Sequence, residues 1–344
     1  MEDESHCASP LPNANPPELR TILDAAARIA PHAQVTPVLH STSLDELAGC
    51  TLHFKCENFQ RMGAFKFRGA CNAVFSLSET DAARGVVTQS SGNHGAALAL
   101  AARLRGITAQ VVVPENASKV KRAAIERYGA RIVDCAPNMA ARDAATAALL
   151  EQTGAELVHP FADPRVIAGQ GTVALELLRQ CDPLDALLTP IGGGGLMSGC
   201  AITARALSPR TKLWGAEPAA ACDAHDSLQS GTLITDRTPQ TICDGLRGHL
   251  APITFGILRT HLEGILLADE DEIAAAMRLI WERLKIVVEP SAAVGLAVVL
   301  RERERFAGQR VGIVLSGGNV DAHGCANAAS AGSAGATELP SSHW

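Results

Sequence analysis

The stretch Leu187-Leu188-Thr189-Pro190-Ile191-Gly192-Gly193-Gly194-Gly195-Leu196-Met197-Ser198-Gly199 says more about the fold than any other part of the chain. An apolar run of strand type enters four consecutive glycines, and a run of small residues of helix type leaves them. Glycines at such a turn let backbone N–H groups converge on an anion without side-chain obstruction. The helix N-terminus behind them adds a favourable dipole. The reading is a phosphate cup; a purely structural tight turn is the alternative, although four glycines exceed what a turn needs. Two nucleotide patterns fail. G-x-G-x-x-G meets Met197 or Ser198 at its last glycine, or Leu196 at its second, and G-x-x-x-x-G-K-[ST] meets Cys200 after Gly199.

Outward from the glycines, apolar strands alternate with Ala-rich helices. Val86–Thr88 precedes Gly95–Leu104, Ala109–Val113 precedes Ser118–Tyr128, and Arg131–Val133 precedes Met139–Gln152. Ala186–Ile191, Leu213–Ala216 and Val311–Leu315 read as further strands. Short apolar strands between helices imply an α/β protein with open, twisted parallel sheets covered on both faces. Asp271–Lys285 is amphipathic, with Ile273, Met277, Ile280 and Leu284 on a core-facing stripe.

Composition narrows the function. The 344 residues, 47% of them hydrophobic, suffice for two domains and a large core. A net charge of -6 with one Tyr and three Trp gives no reason to expect nucleic acid. No window reaches the ~18 uninterrupted apolar residues of a membrane span. The acidic start Met1-Glu2-Asp3-Glu4-Ser5 argues against a leader, so a cytoplasmic protein is expected. Ten scattered cysteines without a C-x-x-C pair read as reduced thiols packed as small hydrophobes.

Three further motifs carry chemistry. Lys66 lies in Gly63-Ala64-Phe65-Lys66-Phe67-Arg68-Gly69-Ala70; a lysine among apolar groups can lose its proton and attack an aldehyde, though taken alone such a residue more often snorkels at the surface. Ser90-Ser91-Gly92-Asn93-His94-Gly95, between a strand and a helix, suits a carboxylate or a phenolic oxygen, or is an ordinary helix cap. Ser316, at the end of a strand and before Gly317-Gly318-Asn319, can reach a ligand in a sheet crevice, or marks a glycine-rich turn. A phosphate cup, a lysine for an aldehyde, an anion loop and a polar strand end are the parts that pyridoxal phosphate needs.

These motifs, in this order, resemble the fold-type II pyridoxal-phosphate enzymes in the branch of serine racemase, threonine/serine dehydratase and threo-3-hydroxyaspartate dehydratase. The matching text includes Phe54–Gln60, Lys66–Ala70, Ser90–Gly95, His159-Pro160, Val166–Thr172, Gly192–Gly195, Val288-Glu289-Pro290 and Ser316–Val320, and the likeness covers roughly residues 18–322. It implies two open sheets with the cofactor in the cleft between them. A large domain would be built from 18–75 and 160–322, a small domain of 76–159 would be inserted in it, and 1–17 and 323–344 would be disordered ends.

The resemblance also implies roles. Lys66 would bond the cofactor aldehyde and later take the substrate α-proton. Gly192, Gly193, Gly194, Gly195 and Leu196 would hold the phosphate, Asn93 the 3-oxygen and Ser316 the ring nitrogen, with Phe65 and Glu289 beside the cofactor. Ser90, Ser91, Asn93 and His94 would bind the α-carboxylate. Ser91 would be a catalytic serine on the face opposite Lys66, as in serine racemases. Arg142 or Arg247 would meet a distal carboxylate. Glu217, the Ala221 carbonyl and Asp223 would hold Mg²⁺, or Ca²⁺ or Mn²⁺; two carboxylates and a carbonyl suit a hard cation. A homodimer is implied by the same analogy.

One departure bears on the reaction. Phe161 follows the His-Pro pair where mammalian-type serine racemases carry Asn, which shifts the expectation from racemase toward dehydratase. The chain ends soon after Asn319, so no regulatory domain is expected. The expected activity is loss of water and ammonia from threo-3-hydroxy-L-aspartate, L-serine or L-threonine; the alternative is a serine or aspartate racemase with dehydratase side activity.

Overall fold

The structure is a computed structural model that describes residues 15–320. The expected disordered ends thus fall almost wholly outside the described residues. Ten strands appear in chain order: β1 Val38–Leu39, β2 Thr51–Cys56, β3 Val86–Gln89, β4 Ala109–Pro114, β5 Arg131–Cys135, β6 Glu156–Leu157, β7 Ala186–Pro190, β8 Lys212–Pro218, β9 Gly264–Ala268 and β10 Arg310–Leu315. They form two sheets, one of six strands in the order β1-β2-β10-β7-β8-β9 and one of four in the order β5-β4-β3-β6. Every pairing is parallel except β1 with β2. The expectation of parallel open sheets is met, and β1, β2, β6 and β9 are additional to the strands read from the sequence.

Burial explains why the central strands are so apolar. β7 is buried throughout and β10 is buried from its second residue onward. Helices cover both faces, so such strands need no polar alternation. The helix Pro290–Arg301 is likewise apolar on nearly every side and lies in the core of the larger sheet. The helix Glu270–Leu284 buries Ile273, Met277 and Ile280 as its pattern requires. No described helix is long and apolar enough to cross a membrane, and the eight cysteines among the described residues are all free.

Glycines set the distance between the helices that carry the site. The helix Lys66–Phe75 crosses Pro164–Gln180, where a Cβ on Gly169 would lie 2.6 Å from the Arg68 carbonyl oxygen. Pro164–Gln180 in turn crosses Gly195–Leu207, where a Cβ on Gly199 would lie 2.4 Å from the Ile167 carbonyl oxygen. Neither approach tolerates a side chain. The three helices therefore lock together and fix the start of the lysine helix relative to the glycine run.

A buried charge network pins the same helix. Arg68 is fully buried; its Nε and Nη2 donate to Glu57 at 2.7 and 2.8 Å, and its Nη1 and Nη2 to Glu176 at 2.6 and 2.8 Å. Lys55 donates to Glu176 at 2.7 Å, to Gln180 Oε1 at 2.8 Å and to the Thr36 carbonyl at 2.8 Å. Two cations face two carboxylates, so each buried charge is compensated.

Candidate active site

The loops that follow β3, β7 and β10, together with the start of the lysine helix, assemble one site at the carboxyl ends of the strands, where open α/β sheets bind ligands. β7 delivers the chain into Gly192–Gly195. Gly194 has φ of +81°, a left-handed conformation that favours glycine. A Cβ on Gly193 would lie 2.3 Å from ring atoms of Phe161, and one on Gly192 would lie 2.8 Å from Leu246 Cα. The Ile191 N–H still donates to the Ala216 carbonyl, and the Ser198 N–H donates to Gly194. Between them, no acceptor among the described residues takes the N–H of Gly192, Gly193, Gly194, Gly195, Leu196 or Met197. Six N–H groups without an acceptor, at the start of a 13-residue helix, are donors from which a phosphate monoester can accept.

Lys66 opens its helix directly after Phe65, whose N–H donates to the Ser316 carbonyl at 3.0 Å. That bond, with the Ala64–Gly317 bridge, stitches the lysine to the end of β10 and puts Ser316 next to it. The Lys66 Nζ donates to the Pro160 carbonyl at 2.9 Å and lies 5.2 Å from the Phe65 ring centroid. Burial pulls its pKa down to about 8, against the opposing pull of Glu289. The surface alternative for this lysine is thereby set aside. Lys55, by contrast, spends its amine on three acceptors.

Asn93 begins the helix Asn93–Arg105 and turns its side chain across to the other sheet's elements. Its Nδ2 donates to both oxygens of Glu289 at 3.1 Å, and its Oδ1 accepts from Asn319 at 2.9 Å. Asn319 also donates to the Met62 carbonyl at 2.8 Å. Burial raises the Glu289 carboxyl to about 7, opposed by the Asn93 amide. His94 is buried; its Nε2 pairs with the Val158 carbonyl at 3.1 Å, and burial followed by the nearby Lys66 charge lowers it to about 3. It is a neutral imidazole whose Nδ1 has no partner. Ser90 and Ser91 are partly buried in the same loop, and Gly95 must be glycine because its Cβ would lie 2.2 Å from the Ser90 carbonyl oxygen.

Sequence reasoning missed three contributors. The Pro160 carbonyl holds the lysine amine, and a backbone group leaves no compositional trace. His159 shapes that turn, its Nδ1 accepting from the Ala162 N–H at 3.0 Å while burial, foremost, lowers it to about 4. Asn319 supports Asn93; its position in Ser316-Gly317-Gly318-Asn319 was the available signal.

The two distal arginines differ. Arg247 donates twice to the Thr241 carbonyl, at 3.3 and 2.6 Å, and is spent on its own loop. Arg142 stands on the helix Met139–Thr153 with a buried, unpartnered Nε, and no hydrogen bond joins it to the Lys66 cluster.

Glu217 and Asp223 lie apart from this cluster, at the end of β8 and the start of the helix Asp223–Ser230. Glu217 accepts from the Ala224 and His225 N–H groups at 3.0 and 2.8 Å, and burial raises it to about 9. Asp223 is also raised by burial, and its Oδ2 is without a partner. No group of three His, Cys, Asp or Glu side chains gathers among the described residues. Two buried carboxylates with one orphaned oxygen and the neighbouring Ala221 carbonyl nevertheless suit a hard cation completed by water.

The chain is similar to known proteins over most of its length. Residues 29–317 match the family model described as pyridoxal-phosphate dependent enzyme. The chain is 49% identical to the beta-hydroxyaspartate dehydratase of Paracoccus denitrificans, over 89% of this chain and 97% of that relative. It is 46% identical to the L-threo-3-hydroxyaspartate ammonia-lyase of Saccharomyces cerevisiae, over 89% and 94%. The crystal structure of serine racemase from Dictyostelium discoideum superimposes with a TM-score of 0.85 at 48% identity, covering 88% of this chain and 99% of that one. With a family model matched over residues 29–317 and relatives at 46–49% identity over 89% of its length, the chain belongs to the pyridoxal-phosphate dependent enzyme family.

Proposed function

We propose that this protein is an ammonia-lyase that removes water from a 3-hydroxy amino acid and releases a 2-oxo acid and ammonia, with threo-3-hydroxy-L-aspartate as its lead substrate. The observation that carries the reading is the depressed, carbonyl-held Lys66 amine beside the cup, in a chain whose relatives include two hydroxyaspartate lyases.

Pyridoxal phosphate, when bound, supplies the electron sink that acidifies the substrate Cα–H. The N–H groups of Gly192 to Leu196 would anchor its phosphate, Ser316 would offer a neutral hydroxyl to its ring nitrogen, and Phe65 and Glu289 would lie beside it. Asn93, held from two sides by Glu289 and Asn319, presents its amide to the 3-oxygen. Ser90, Ser91, Asn93 and the backbone N–H of His94, in the first turn of its helix, grip the substrate α-carboxylate and fix the Cα–H toward Lys66. Lys66 Nζ takes that proton; an amine with a pKa about 8 is a competent base near neutral pH. The β-hydroxyl leaves with one proton as water, which balances the α-proton taken by Lys66 and leaves an enamine; hydrolysis of its imine tautomer consumes one water and frees ammonia. Arg142, with its unpartnered Nε, is the cation offered to a distal carboxylate.

Ser91 favours a second reading, a racemase with dehydratase side activity, because a hydroxyl opposite Lys66 can return the proton to the other face. Glu217, the Ala221 carbonyl and Asp223 would bind Mg²⁺, whose part is to hold the loop after β8. Residues 76–159 would form a small domain that closes over substrate, and the protein would act as a homodimer in the cytoplasm. The test is release of 2-oxo acid from L-threonine, L-serine and both 3-hydroxyaspartate diastereomers. Good activity on threonine with none on hydroxyaspartate overturns the substrate assignment.

A further inference from the structure

A cleft of about 540 Å³, separate from the Lys66 site, lies at one edge of the larger sheet, lined by His40, His53, Arg179, Gln180, Cys181 and Asp182. At its floor sits His53, from β2. Its side chain is only 8% exposed, and neither ring nitrogen has a hydrogen-bond partner. A buried polar group left unpaired costs roughly 1–3 kcal/mol, a cost that a ligand or water seated in the cleft would relieve. Around the imidazole stand His40, edge-on at 4.5 Å, then Asp45, Asp182 and Arg310. Burial, foremost, holds His53 below its ordinary value, and in its neutral form the ring has one donor and one acceptor to give. His40 is fixed by its Nδ1 contact of 3.1 Å with the Leu52 carbonyl.

Opposite charges share this cleft without meeting. Arg179 closes the helix Pro164–Gln180, Asp182 follows it, and neither makes an ion pair or a side-chain hydrogen bond among the described residues. Asp182 disfavours a simple anion and Arg179 a simple cation. We propose that this cleft binds a free α-amino acid as its zwitterion, the carboxylate accepting from Arg179 and the His53 ring N–H and the ammonium facing Asp182. The wall is continuous with the network that holds the lysine helix, because Gln180 accepts from Lys55 at 2.8 Å and donates to the Thr36 carbonyl at 3.0 Å.

The test needs a probe that the cofactor cannot capture. N,N-dimethylglycine keeps the carboxylate and a protonated N–H but lacks the primary amine that condenses with an aldehyde. Calorimetric titration of the holoenzyme with this compound should give one site with a Kd in the range of about 0.1–10 mM. Arg179→Gln and Asp182→Asn should each weaken it about tenfold or more while basal turnover is unchanged, and acetate should bind at least tenfold more weakly. His53→Leu should weaken binding too, with the two surface variants keeping the test independent of any folding defect in that one. No binding overturns the proposal. So does binding that both surface variants leave intact, which would locate the probe in the Lys66 site. Equal binding of acetate, unaffected by Asp182→Asn, would make this a plain anion site and overturn the zwitterion.

Discussion

Replacing Gly193 by alanine tests the cup with a single methyl group. The added Cβ would lie 2.3 Å from Phe161 Cγ and Cδ1 and 2.6 Å from Cδ2, inside any allowed contact distance. His159 packs edge-on against the ring at 4.6 Å and is itself held by the Ala162 N–H, which restricts how the ring can swing. Either the ring or the glycine loop must move, and overpacking of this kind costs typically 1–3 kcal/mol. If that cost falls on the loop that binds phosphate, affinity for pyridoxal phosphate drops by about 5- to 150-fold. Cofactor retention is read by equilibrium dialysis, with visible absorbance reporting the bound form. The clash also predicts a coupling. In a Phe161→Ala background the methyl finds room, so Gly193→Ala should cost at least about 1 kcal/mol less there than in the parent. Equal cost in both backgrounds would refute the steric argument, and unchanged affinity in the single variant would refute the cup.

Cofactor reloading into the apo-enzyme should report the Lys66 amine. Only the neutral amine attacks an aldehyde, so the rate should climb about tenfold per pH unit below its pKa and level off above about 8, well short of an ordinary lysine. Glu289 opposes the depression, so Glu289→Gln should move that midpoint to lower pH; a shift upward contradicts the assignment. Arg68→Met leaves the buried carboxylates of Glu57 and Glu176 short of a partner and should cost about 3–5 kcal/mol in urea unfolding, whereas an exposed pair such as Arg278–Glu282 should cost under about 1 kcal/mol. Mg²⁺ should raise the melting temperature of the parent protein, and that rise should vanish in Asp223→Asn if Glu217, Ala221 and Asp223 hold the ion.

Much of this site was legible because it depends on residue types that a local backbone requires. Four glycines between a strand and a helix, a lysine between phenylalanines and a serine at a strand end each announce local chemistry, and their order made the list coherent. What stayed hidden depends on distance along the chain. Lys55 and Lys66 are both lysines beside aromatic residues; only the fold shows that Lys55 meets Glu176 and Gln180, more than a hundred residues away, and is spent. Nothing local marks the Pro160 carbonyl as the holder of the Lys66 amine, nor Phe161 as the wall that keeps Gly193 a glycine. β2 escaped the strand reading because His53 and Lys55 interrupt its apolar run, yet one lines a cleft and the other a buried network. Arg142 and Arg247 looked equivalent as candidate cations until Arg247 proved committed to its own loop.

Elimination at a 3-hydroxy amino acid can be followed by proton NMR of the holoenzyme with threo-3-hydroxy-L-aspartate in D₂O. Oxaloacetate and ammonia should form in equal amounts, faster than deuterium enters the remaining substrate with inverted configuration. Accumulation of the deuterated, inverted amino acid without ammonia would contradict it and make the protein a racemase.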